Sequence, residues 1–215
     1  MSDFFEPPEP PRHVRDTQRY RHRPWEGRPD WTLPGVVPVE LILARTDSVA
    51  VCLTGFQAYP ESFAFELRTM DTGDVDPFED GLRFGPFRTF GMSYEGGIPD
   101  TLLRFGLQFA DGTKVTSLTE RFAYGPTPPE EPVMHHGGGG GGGLSWSQDM
   151  HVWPLPPDGP VVVVVEWPSQ GIAQTRTEFD GGLIHEAAAR AQVVFSDAHL
   201  PEEPDDDGPE FQIIR

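Results

Sequence analysis

Apolar and polar side chains alternate with a period of two over much of the stretch between Val36 and Phe195, the pattern of strands that turn one face to a core. Val37, Val39, Leu41 and Leu43 are spaced by Pro38, Glu40 and Ile42. Thr46-Asp47-Ser48 then supplies a turn and Val49 to Phe56 runs back, so a hairpin is predicted. Phe63, Phe65 and Leu67 face one way and Glu66 and Arg68 the other, which adds a third antiparallel strand. Leu102–Phe109 and Thr113–Leu118 flank Asp111-Gly112, a strong short hairpin signal. Ser145–Trp153 and the valine run Val161–Val165 bracket the turn Pro156-Pro157-Asp158-Gly159 and read as a further hairpin. Five β-branched residues between prolines predict a strand buried on both faces. Gly171–Glu178 forms the last strand, with Ile172 inward and Arg176 outward. Asp180 caps a helix from Gly181 to about Val194, with Leu183, Ile184, Ala187, Ala188 and Ala191 on one stripe and Glu186 and Arg190 as an i,i+4 pair outside.

About seven or eight strands with turn chemistry between them, and one helix near the end, predict an all-β fold: an antiparallel β-sandwich with one C-terminal helix. Three regions follow. Residues 1–35 form an extended Pro/Arg-rich N-terminal arm, 36–195 the sandwich domain, and 196–215 an acidic C-terminal tail ending in the apolar Phe211-Gln212-Ile213-Ile214. Tyr124–Met134 reads as a proline and glutamate linker. The seven glycines Gly137–Gly143 have nothing to bury and predict a disordered surface loop.

Charge narrows the class of partner. The formal net charge of -18 repels a phosphate backbone and an anionic membrane surface, so neither nucleic acid nor membrane is an expected partner. The arm is the exception: six arginines lie between Arg12 and Arg28 against Asp16 and Glu26, a local charge of +4. Pro7-Pro8-Glu9-Pro10-Pro11-Arg12 fits a polyproline II ligand pattern. Arg15, Arg19, Tyr20, Arg23, Trp25 and Trp31 interleave cations with aromatic rings, a composition suited to stacking and cation–π contacts with a protein partner or with the acidic domain itself. The lone Cys52 cannot close an intrachain disulfide and falls in an apolar run, where it reads as a core side chain. A cytoplasmic location is expected, since no leader and no long apolar segment stands out.

Candidate chemistry is sparse, and no cofactor or metal is expected. Asp71, Asp74, Asp76, Glu79 and Asp80 lie close together but miss the EF-hand spacing, and read as a solvated acidic loop. His136 followed by glycines has the make-up of an oxyanion-hole loop. The G-x-S-x-G elbow such a hydrolase needs is not met by Gly143-Leu144-Ser145-Trp146-Ser147, and no G-K-[ST] follows to make a phosphate cradle. His135 and His136 point apart in an extended chain and have no Cys or carboxylate at zinc spacing toward His151 or His185. His185, beside the helix stripe, reads as a hydrogen-bonded boundary residue. Phe78, Phe84, Phe87 and Phe90 predict a lid over an open sheet end. The expectation is a non-catalytic protein-interaction or assembly module that binds a protein partner or itself. The alternative is a small-ligand or metal-dependent hydrolytic sandwich with a loop-end site using Asp74, Asp76, Tyr94, His135 or His151.

Overall fold

A computed structural model describes residues 22–73, 97–118, 127–142 and 144–195. In chain order the strands are β1 (Thr32–Leu33), β2 (Gly35–Arg45), β3 (Val49–Ala58), β4 (Phe63–Asp71), β5 (Arg104–Gln108) and β6 (Lys114–Thr116). They continue as β7 (Val133–Gly142), β8 (Ser145–Trp153), β9 (Pro160–Trp167), β10 (Ile172–Asp180) and β11 (Gln192–Val193), with one α-helix, α1 (Gly182–Ala188), between the last two. One sheet has the order β2-β3-β4-β8-β7, the other β10-β9-β5-β6, and β1 pairs with β11 in a short ribbon. Every described pairing is antiparallel. The fold is an antiparallel sandwich of two packed sheets, as the alternation predicts.

The two sheets meet through aromatic rings. Phe56 of β3 stacks on Phe179 of β10 at 4.6 Å, and Phe65 of β4 packs on Phe105 of β5 at 5.4 Å. Phe56, Phe63, Phe65, Leu53 and Leu67 are fully buried around them. A bulge makes this possible. Val51 and Leu53 point inward at odd positions and Phe56 and Ala58 at even ones, so one extra residue must be absorbed between them. The register shifts between Thr54 and Phe56, and Gly55 takes it up with φ +61, a conformation open to glycine.

Several expectations need correction. The valine strand is buried on one face only: Val161, Val163 and Val165 are core, whereas Val162 and Val164 are half-buried on the outer side. There Arg176 of β10 donates to the Gln108 side chain of β5, passing across β9 between them. Nor do β8 and β9 form a hairpin, because they belong to different sheets. Pro154, Pro156 and Pro157 remove ladder donors from the connection, and Leu155 donates instead to the Glu61 carbonyl, so the segment crosses between layers. The glycine run is not a loop: Gly137–Gly142 complete β7, which begins at the buried Val133 and Met134 of the expected linker.

The helix also stops early. Ile184 and Ala187 are buried, but α1 ends at Ala188, and Gln192–Val193 turn back as β11 onto β1. Arg190 does not pair with Glu186; its guanidinium donates to the carbonyls of Glu186 and Val36. Asp180 accepts from the Gly182 amide at 2.9 Å, next to the helix start. His185 bonds the Pro156 carbonyl at 2.6 Å, the boundary role expected of it.

Candidate functional site

The seventh strand is glycine over six of its ten residues. It lies at the end of its sheet, and Gly137 to Gly142 are all exposed. Between His136 and Gly139 the register slips, and the Gln148 amide fills the slip by donating to the carbonyls of Gly137 and Gly138 at 3.0 and 3.4 Å. Beyond it the glycines fall into two sets. A Cβ at Gly141 would lie 2.4 Å from the Ser145 carbonyl oxygen, so close approach to β8 requires glycine there, and one at Gly139 would press on the Gln148 side chain at 2.6 Å. At Gly138, Gly140 and Gly142 a Cβ would meet open space. Packing therefore explains alternate glycines only.

Beside this edge, the N-terminal strap crosses the outer face of the same sheet. Register places Gln57, Ala64, His151 and His135 in one row across β3, β4, β8 and β7. A turn closed by Glu26 N to Arg23 O at 2.9 Å, with the Glu26 carboxylate accepting from the Arg23 amide, shapes the strap. Trp25 sets its ring edge-on to Trp153 at 5.8 Å and its carbonyl 2.7 Å from His135 Nε2. Arg28 pairs with Asp149 at 3.4 Å.

Beneath the strap the imidazoles of His135 and His151 lie nearly parallel, with centroids 6.1 Å apart. His151 is 3% exposed, and neither ring nitrogen has a hydrogen-bond partner. Burial, then the neighbouring His135 and Arg28, drives its pKa down to about 3. His135 is also held below the ordinary value, chiefly by burial, against the opposing pull of the Trp25 carbonyl and Glu26. Tyr59, buried nearby, has its phenol pKa raised by desolvation.

Next to the histidines a groove of about 240 Å³ is lined by Arg28, Thr54, Gln57, Glu66 and Asp149 among others. Its polar groups answer one another: Arg28 pairs with Asp149, and Thr54 donates to Glu66 at 3.3 Å. Among the described residues no three potential metal ligands converge. Stacked rings also present their faces to each other, where a shared ion would need their nitrogens to converge.

Of the expected partner-binding residues, Arg23, Trp25 and Trp31 are seen. Arg23 joins the strap turn, Trp25 covers Trp153, and Trp31 packs edge-on to Phe195 at 6.3 Å. Arg15, Arg19 and Tyr20 lie outside the described residues, as do the polyproline pattern, Asp74, Asp76, Glu79, Asp80, the phenylalanines 78, 84, 87 and 90, Tyr94 and the acidic tail. Of the loop-end set, His135 and His151 do come together, on the sheet face and not at a loop end. His136 faces away from them, with a backbone hydrogen bond at Ser117. Cys52 is a buried free thiol whose pKa burial raises. The edge strand β7 has no alternating side chains to announce it. The signal available was the apolar pair Val133-Met134 ahead of the histidines and glycines, which starts a strand when a partner strand lies alongside. None of the described helices is long and apolar enough to cross a membrane. No protein-family model matches the chain, and no curated protein or solved structure matches it either.

Proposed function

We propose that this protein is a non-catalytic interaction module that captures an extended segment of a protein partner along the glycine edge of its five-stranded sheet. The observation that carries this reading is the bareness of Gly138, Gly140 and Gly142, which are exposed on an end strand with room for side chains that the chain does not place there. Natural edge strands are blunted with charge, proline or cover, because unpaired N–H and C=O groups recruit other strands. A side-chain-free edge invites that addition, and main-chain hydrogen bonds then supply affinity for an incoming strand. The net charge of -18 favours a partner segment flanked by cations and disfavours nucleic acid. A reducing cytoplasm suits a chain whose one cysteine is buried and unpaired.

Replacing Gly138 and Gly140 together by Lys tests the reading, because both positions have space while charge on the edge opposes strand addition. The expected result is an unchanged melting temperature with at least a tenfold loss of partner recovery in a pull-down. Self-association measured by sedimentation should be lost in parallel where the partner is a second copy. Equal recovery and equal self-association by wild type and variant would end this reading.

A further inference from the structure

The strap lies over the histidine pair and gives its surroundings an electrostatic bias. The Trp25 carbonyl can only accept, so His135 Nε2 carries its proton and Nδ1 keeps the lone pair in the neutral ring. His151 beside it has no partner for either nitrogen. A second proton on that ring creates a cation with no acceptor at hand, stacked against another imidazole.

The charged and titratable groups facing the pair come from every layer around it. From the strap, Arg28 opposes protonation and Glu26 favours it at His135. From β8, Asp149 is already paired with Arg28. From β4, Glu66 lines the groove beyond Asp149 and accepts from Thr54. Tyr59 is neutral across the acid range, and His136 on β7 is turned to Ser117. The favourable charge is thus concentrated at His135, leaving His151 the less tolerant of the two.

We propose that residues 22–31 form an acid-released clasp, closed over His135 and His151 while both rings are neutral and lifted when they take up protons. Lifting lets both rings reach water and uncovers Ala64, His151 and His135 next to the glycine edge. The sign follows from proton counts. In the clasped state both rings titrate below the ordinary value of 6.5, and in the lifted state they titrate near it. Closure is therefore fully favoured above about pH 6.5. Below that it weakens by about tenfold per pH unit for each ring kept neutral by the clasp. The device operates whether or not β7 takes a partner strand.

Amide hydrogen exchange of the full chain from pH 7.5 to 5, corrected for intrinsic rates, tests it. Protection of residues 22–31 should fall about thirtyfold between pH 7.5 and 5 from His151 alone, while the amides of Val161–Val165 stay protected. His151→Phe keeps the ring area and discards two unpartnered nitrogens, so it should fold and flatten this response. A flat wild-type profile, a fall in step with the valine strand, or a full response in H151F would each overturn the clasp. So would an NMR titration of the wild-type His151 ring near pH 6.5 with the strap still protected, a measurement that decides the matter even where the variant does not fold.

Discussion

Glycine in this protein is a steric requirement at some positions and a bare surface at others, and the two kinds are separable by substitution. Gly35 begins β2 directly against α1: a Cβ there would sit 1.8 Å from the Ala187 carbonyl oxygen. Backbone on both sides leaves no flexible group to yield. Gly35→Ala should therefore cost about 3 kcal/mol or more, at or above the upper end of overpacking effects. Gly141→Ala should also be destabilising, since its Cβ would meet the Ser145 carbonyl oxygen at 2.4 Å and the Trp146 Cα at 2.7 Å. Gly140→Ala meets nothing and should be neutral or stabilising by ~0.4–1 kcal/mol through the unfolded chain. Urea denaturation midpoints of the three variants check the order. Equal effects at positions 140 and 141 would mean that β7 does not lie against β8 as described.

At the scale of elements, the strap is joined to the sandwich by polar and aromatic contacts and adds no strand to the sheet it crosses. Removing residues 1–31 discards the Trp25–Trp153 contact, the His135–Trp25 hydrogen bond and the Arg28–Asp149 pair, and it wets His151. The sheets should still form, with a loss of about 2–3 kcal/mol, or roughly 5–10 °C in melting temperature. A truncated protein that melts with the full chain would show that the strap contributes no cover. Elements with a strong local signal were legible in the sequence: β2 and β3 from alternation, β5 and β6 from Asp111-Gly112, whose glycine has φ +88. Elements defined by a distant partner were not. Glycine has no side chain to show a period, so β7 is specified by β8 and by the Gln148 amide that fills its slip. Alanine-rich periodicity continued past Ala188, but pairing of β11 with β1 won over the last helical turns. The histidine pair was named only as loop-end candidates, because nothing local in β7 or β8 reveals that the strap comes back to cover them.

At the scale of the whole molecule, the valine strand distinguishes a two-layer sandwich from a sheet buried on both faces. Val163 is 1% exposed and lies between the sheets, opposite Leu107 and Thr177 on its neighbours. An aspartate there carries an unpaired charge into the layer that Phe56, Phe65, Phe105 and Phe179 close, and desolvation of that charge exceeds the whole margin of a marginally stable domain. Val163→Asp should abolish cooperative unfolding and near-ultraviolet circular dichroism. One residue earlier the same strand faces outward: Val162 is half-buried, with Glu178 directly across on β10 and Gln108 on β5. Val162→Lys places its ammonium group beside that carboxylate, and its stem can cover the apolar surface that the valine leaves. This variant should fold with a loss of about 1 kcal/mol or less, since a cross-strand charge pair offsets part of the lost burial. The contrast between adjacent positions is the signature of period-two burial. If V162K collapses as V163D does, both faces of β9 are interior and the outer layer of this molecule is not where the sheet order places it.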